Sequence, residues 1–145
     1  MGLTVSSLCN PDDLVPGKRL VDGQTNIVQL IPQTSVTGLT ALAGGGATGA
    51  PVLSLGMNEV DTVVTAADSF QLPAAISGAT VTVYNNASST DAMTLWPDPA
   101  NPNNAASAAD VIVNAAGTTV TSISVTHNTV ALFRCFTAGT WKATI

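Results

Sequence analysis

The sequence predicts an all-β fold: an antiparallel β-sandwich or barrel, jelly-roll-like, preceded by an irregular N-terminal arm. Short segments rich in Val, Thr, Ile and Phe alternate apolar and polar residues, as in 79–85, where Val81 and Val83 share one face. Gly, Asn and Pro separate these segments at regular spacing, which is typical of a sandwich or barrel. No window keeps the period of about 3.6 residues of an amphipathic helix for more than two turns.

The first 26 residues differ from the rest of the chain. Prolines and glycines interrupt any regular pattern there. We interpret residues 1–26 as an extended arm and residues 27–145 as the β domain. Fully extended, such an arm spans on the order of 85 Å, which is enough to cross a neighbouring subunit. An ordinary disordered terminus is the alternative. The charged residues of segment 1–26 are Asp12, Asp13, Lys18, Arg19 and Asp22.

The β domain divides into short strand candidates. They are residues 26–31, 35–43, 58–65, 69–72, 79–85, 92–96, 110–114, 118–125, 129–136 and 140–145. A glycine-rich loop follows the second candidate. We expect 79–85 and 92–96 to form a hairpin through Asn85-Asn86, and 118–125 and 129–136 to form another through His127-Asn128.

The segment 129–136 is apolar on both faces. Ala131, Phe133 and Cys135 alternate with Val130, Leu132 and Phe136. Such a strand is either central and buried on both sides, or it has one face against a partner. We therefore assign a subunit-interface or core role to six residues. They are Val130, Leu132, Phe133, Phe136, Trp96 and Trp141.

Charge is scarce, at 9% of residues, and the net charge is −5. Duplex DNA binding draws on many Lys and Arg contacts to phosphate, so four basic residues argue against a nucleic-acid partner. No apolar run is long enough to span a membrane, and the N-terminus lacks the basic stretch of a signal peptide. A charge-poor surface has two explanations: a Thr-, Ser- and Asn-rich β surface, or coverage by partner proteins.

Few side chains in this sequence could act in catalysis or bind a metal ion, and we expect no catalytic residue, metal or cofactor. The single histidine, His127, lies in a predicted turn, and no nucleophile motif accompanies it. The loop 97–104 holds oxygen ligands that suit calcium, but their spacing matches no loop motif and three prolines favour a rigid turn. Cys135 is expected to be a small buried hydrophobe, the alternative being a disulfide with Cys9.

A resemblance rests on the order of motifs in residues 59–145. A strand ending at Leu72-Pro73 precedes Val81-Thr82-Val83 and the turn Asn85-Asn86, and Leu95-Trp96-Pro97 follows. The chain closes with Phe133-Arg134-Cys135-Phe136 and Gly139-Thr140-Trp141. In this order the chain resembles small β proteins from the structural gene blocks of tailed bacteriophages. Residues 27–58 have no counterpart in that family.

The resemblance implies a virion structural protein, and within that class a head decoration or cement protein. Such proteins bind the major capsid protein on the outer surface of the capsid, commonly as homotrimers, and stabilise the lattice. The charged arm residues would then contact the capsid. The alternative is a fibre or tip domain that binds host glycan or receptor, with Trp96, Trp141 and the Asn-rich loop as its contact residues.

Overall fold

The structure is a computed structural model that describes residues 34–104 and 108–145, together with the backbone of two N-terminal strands, β1 (Lys18–Leu20) and β2 (Ile27–Gln29). The chain divides into the units Met1–Pro32 and Gln33–Ile145. In the first unit β1 and β2 pair antiparallel, with Arg19 opposite Val28.

The N-terminal unit differs from the predicted arm in two respects. Lys18 and Arg19 lie on a strand, because β2 supplies a pairing partner for that part of the chain. The division of the chain falls after Pro32, so the strand candidate 26–31 belongs to the first unit. The other arm residues, Asp12, Asp13 and Asp22, lie outside the described residues.

The described part of the second unit contains ten strands and one short helix, α1 (Gly46–Gly49). The strands are β3 (Thr34–Thr40), β4 (Gly56–Thr62), β5 (Ser69–Gln71), β6 (Thr80–Asn85), β7 (Met93–Trp96), β8 (Val111–Val113), β9 (Thr119–Val120), β10 (Ile123–Val125), β11 (Val130–Thr137) and β12 (Thr140–Thr144). The all-β prediction is therefore confirmed. The described residues include no helix that is long and apolar enough to cross a membrane.

The strands of this unit form two sheets. The large sheet has the order β3-β4-β6-β11-β12-β8-β9, and the small sheet has the order β10-β7-β5. Four neighbouring pairs are parallel: β3 with β4, β4 with β6, β5 with β7, and β12 with β8. The sheets are therefore mixed, where the sequence predicted an antiparallel sandwich or barrel.

The chain passes back and forth between the two sheets. Strands β4 and β6 lie side by side in the large sheet, whereas β5 and β7 lie side by side in the small one. Val52 adds a parallel bridge to Gln71, beside β5. This course is solenoid-like, where the sequence predicted a jelly-roll-like sandwich or barrel. Alternation reveals which residues point inward, but it does not reveal which strands become neighbours.

Neither predicted hairpin forms. β6 pairs with β4 and β11, while β7 pairs with β5 and β10. The candidate 118–125 is broken into β9 and β10, which belong to different sheets. The chain does turn at His127 and Asn128, where Asn128 has a φ of 59°. Among the described strands of this unit, hairpins form between β8 and β9 and between β11 and β12, and Gly139 turns between β11 and β12 with a φ of 82°.

Both sheets contribute to one apolar core. The large sheet supplies Val81, Val83, Phe133 and Trp141, and the small sheet supplies Phe70, Met93 and Leu95. The inward direction of Val81 and Val83 confirms the alternation predicted for β6. Trp141 Nε1 donates a hydrogen bond of 3.2 Å to the Pro73 carbonyl oxygen, so its one polar atom is satisfied inside the core.

Candidate functional site

Strand β11 has one buried face and one open face. Ala131, Phe133 and Cys135 are almost wholly buried, whereas Val130 is 53% exposed and Phe136 is 70% exposed. Leu132, between them on the same face, is half-buried. In the part of the chain that the structure describes, the strand is therefore not buried on both sides. Three large apolar side chains point outward from the middle of the large sheet, and we call the sheet surface that they occupy the outer face.

The outer face continues across the neighbouring strands because their registers align. Thr82 of β6 lies beside both Met57 of β4 and Leu132 of β11. Tyr84 lies beside both Glu59 and Val130 in the next row. The apolar members are thus spread over three adjacent strands, with threonine hydroxyls among them.

One half of the outer face is concave. A groove of about 240 Å³ is lined by residues of β3, β4, β6 and β11, and we call it the apolar groove. Its rim is held by two hydrogen bonds. Tyr84 Oη donates to Asn128 Oδ1 over 2.9 Å, and Asn86 Nδ2 donates to Glu59 Oε1 over 2.7 Å. Its lining includes Met57, Glu59, Thr82, Tyr84 and Val130.

The other half of the outer face is basic. Arg134 of β11 lies directly opposite Lys142 of β12. A second groove of about 240 Å³ beside this pair is lined by Phe136, Thr137, Thr140 and Lys142, and we call it the basic groove. Within the part of the chain that the structure describes, neither cation forms an ion pair.

A buried carboxylate holds the loop 97–104, which the sequence predicts to be a rigid turn and for which calcium binding was the less favoured alternative. Asp110 accepts hydrogen bonds from Asn101 Nδ2 at 2.8 Å and from the Ala75 backbone N–H at 2.7 Å. Burial raises the pKa of Asp110 above its ordinary value, although these two hydrogen bonds act in the opposite direction. Asn101 is itself fully buried.

The oxygens of that loop accept backbone hydrogen bonds. Asp98 Oδ1 accepts from the Ala100 N–H, and Asn101 Oδ1 accepts from the Asn103 N–H. These contacts form the rigid turn that the prolines favoured. Among the residues that the structure describes, no three His, Cys, Asp or Glu side chains come together as they would around a metal ion.

The residues assigned to an interface or core separate into distinct environments. Phe133 and Trp141 belong to the core, and Val130 and Phe136 belong to the outer face. Leu132 and Trp96 are half-buried. The fully enclosed ring of Trp141 has no open face on which a sugar could stack, so this residue is unsuited to the glycan role considered from the sequence.

Two further residues with reactive side chains have defined positions. His127 lies in the turn before β11, as predicted, and its carbonyl oxygen accepts from Thr129 Oγ1 over 3.4 Å. Cys135 is a buried free thiol, which confirms the buried-hydrophobe interpretation. Burial raises the pKa of the Cys135 thiol, so its nucleophilic thiolate form is disfavoured.

Comparison of the chain with protein-family models, with curated proteins and with solved structures gave no match. Sequence reasoning had identified Val130, Leu132 and Phe136 of the outer face, but it missed Met57 and Tyr84. The alternation along β6 places Tyr84 on the face opposite to that of the buried valines, and this alternation is visible in the sequence. No sequence signal gives the register that brings Tyr84 beside Val130.

Proposed function

We propose that this chain is a structural protein of a tailed-bacteriophage virion, namely a head decoration or cement protein. It binds the major capsid protein on the outside of the capsid as a homotrimer. The observation that carries the proposal is the outer face, where Val130 and Phe136 are exposed on a central strand of the large sheet. Contiguous exposed apolar surface marks sites of protein–protein interaction.

The composition supports the same proposal. The charged fraction is 9%, which is low for a surface that faces water alone. Threonine-rich strands surround the apolar residues, and covering neutral hydroxyl groups is less unfavourable than covering charged groups. The order of motifs in residues 59–145 adds the resemblance to phage structural proteins. The proposal rests on the outer face of the large sheet, and a jelly-roll-like strand order is not required for it.

The trimer is assigned to the apolar half of the outer face. Met57 is 58% exposed. It lies on β4, and only strand β6 separates β4 from β11, which carries Val130. Burying such side chains against another copy contributes about 25 cal/mol for each Å² of apolar surface removed from water. A stable interface buries roughly 1,600 Å² in total, so the self-contact extends beyond this patch.

Stabilisation of the capsid follows from linkage. A protein that binds only the expanded lattice lowers the free energy of that state by an amount that grows with its concentration and affinity. Three copies in one trimer bind neighbouring capsid subunits together, so the effective concentration favours the later contacts. The charged residues of segment 1–26 are proposed to tie the trimer to adjacent subunits.

Co-sedimentation with expanded, undecorated phage heads tests the proposal. We expect the full-length protein to bind saturably, at a fixed ratio to capsid subunits. We expect removal of residues 1–26 to leave the remainder folded, as judged by circular dichroism, and to weaken binding. Failure of the full-length protein to bind heads would refute the decoration role. Unfolding of the truncated protein would refute the assignment of these residues to an arm.

A fibre or tip domain that binds host glycan is the second candidate, and the apolar groove favours it. An aromatic ring, a carboxylate and hydroxyl groups are the groups that contact sugars, and Tyr84, Glu59 and Thr82 line this groove. A glycan array would test it, with Tyr84→Ala as the variant. Sugar binding that this variant abolishes, together with no binding to heads, would favour the fibre function over decoration.

A further inference from the structure

The basic groove lies beside the only two Lys or Arg residues in the sequence of residues 33–145. This segment contains six acidic residues and only two basic ones, Arg134 and Lys142. The two bases are direct cross-strand neighbours on β11 and β12. Side chains so placed have Cβ atoms about 5 Å apart, and like charges directly opposite each other destabilise a sheet. The fold therefore carries an unfavourable pair at this position.

Among the described residues, the direct strand neighbours of the pair carry no acidic side chain. Arg134 has Thr80 of β6 as its other neighbour. On the same face of β12, Lys142 lies between Thr140 and Thr144. Its partner on the far side, Val113 of β8, is apolar. Both cations project from an exposed surface, so their field is directed towards solvent and towards any molecule that approaches this half of the outer face.

An apolar anchor stands next to the cations. Phe136 follows Arg134 by two residues and is 70% exposed, and it lines the basic groove together with Lys142. The backbone at this point is held in place, because Ser77 Oγ donates a hydrogen bond of 3.0 Å to the Phe136 carbonyl oxygen. A ring and a guanidinium on β11 and an ammonium on β12 are thus presented together on two paired strands.

We propose that the basic groove is the docking site for an acidic segment of a partner protein, with carboxylates on Arg134 and Lys142 and an apolar side chain against Phe136. Arginine binds carboxylates through two parallel hydrogen bonds, and exposed aromatic rings act as interface anchors. Two cations provide too few phosphate contacts for nucleic acid. The identification of the partner as the capsid lattice rests on the proposed function; the acidic chemistry of the partner does not.

The first experiment measures binding to expanded heads by co-sedimentation at 50 and 300 mM salt. We expect the double variant Arg134→Gln with Lys142→Gln to bind at least tenfold more weakly at low salt and to lose most of the salt dependence. Lys142→Arg keeps the charge and should bind within twofold of wild type. Thr144→Gln, on the same face, is the control for a general disturbance of the sheet. Equal binding by the double variant and the wild type would overturn the proposal.

The second experiment is independent of heads. Isotopically labelled protein is titrated at low salt with the capped peptide Glu-Glu-Leu-Glu-Glu, and separately with Gln-Gln-Leu-Gln-Gln. We expect the acidic peptide alone to shift the amide resonances of Arg134, Phe136 and Lys142, and the double variant to show no shift. The same response to both peptides, or none to either, would overturn the proposal. If wild type does not bind heads, the decoration role fails, and the peptide result alone supports or overturns the acidic docking site.

Discussion

Phe133 and Phe136 lie three positions apart on β11 and have opposite environments. Phe133 points into the core and is 0% exposed, whereas Phe136 points outward and is 70% exposed. One strand therefore has two tasks. Its inner residues hold the two sheets together, and its outer residues are available to a partner. This division makes the contributions of folding and binding separable by mutation.

Replacing each phenylalanine by alanine should separate the two tasks. Phe133→Ala removes a buried ring and leaves a cavity, so we expect it to lower the free energy of unfolding by about 3–5 kcal/mol. Phe136→Ala removes an exposed ring and should change that free energy by no more than about 0.5 kcal/mol. Urea denaturation of both variants checks this. Similar losses for the two variants would contradict the assignment of the faces.

Introducing a charge at the apolar half of the outer face should block self-association. Val130→Lys puts an ammonium group where the proposed trimer contact lies, and burying it without a partner is unfavourable by several kcal/mol. We expect a trimer for wild type and a monomer for the variant, measured by light scattering. Val64→Lys is the matched control, because Val64 is an exposed valine outside β11 and should leave the trimer intact. A monomeric wild type would refute trimerisation.

Asp110 should make the protein more stable as the pH falls. Burial raises the pKa of Asp110 in the folded state above the unfolded value of about 3.9. Its contribution to stability is fully present below the unfolded value and is lost as the pH rises through the folded one. As the pH is lowered from 7 to about 4, the free energy of unfolding of wild type should therefore rise relative to that of Asp110→Asn. Urea denaturation across this range gives the difference, and one that does not change with pH would contradict the prediction.

Asp68 should have the opposite pH dependence. The Val64 N–H and the Thr65 hydroxyl donate to its carboxylate at 2.7 Å each, and these hydrogen bonds lower the pKa of Asp68. Its stabilisation is present above the unfolded value of about 3.9 and is lost as the pH falls through the folded value. We expect Asp68→Asn to lower the free energy of unfolding by about 1–3 kcal/mol at pH 7.

Asp61→Asn serves as the control for Asp68, because Asp61 is an exposed carboxylate on β4. The loss caused by Asp68→Asn, followed by urea denaturation, should shrink at acid pH. If the two variants are equally stable at pH 7, the Asp68 hydrogen bonds contribute no measurable stability and this interpretation of the turn is wrong.

The sequence predicted what depends on local pattern. The alternation in β6 and the two faces of β11 follow from a period of two residues, which each strand carries by itself. The partners of those strands depend on distant contacts. Asn85 ends β6, and its Nδ2 donates to the Val125 carbonyl oxygen, 40 residues away. After β6 the chain crosses to the small sheet, where a hairpin was predicted, and no property of residues 79–96 alone reveals this.

The candidate site was predictable to the same extent. Val130 and Phe136 stood out because a central strand was too apolar on both faces. The basic groove could not be predicted from the sequence, since Arg134 and Lys142 become neighbours only through the register of β11 with β12. The prediction that Trp96 and Trp141 belong to an interface or core left their environments undecided, and the acceptor for Trp141, the Pro73 carbonyl, lies 68 residues away.

The most direct test of the decoration role is a binding curve on expanded, undecorated heads, with wild type and Phe136→Ser compared after sedimentation. We expect wild type to saturate at a fixed number of copies per capsid subunit. We expect Phe136→Ser, equally stable to urea, to bind at least tenfold more weakly because the exposed ring is an interface anchor. Absence of saturable binding by wild type, or unchanged binding by the variant, would contradict the account.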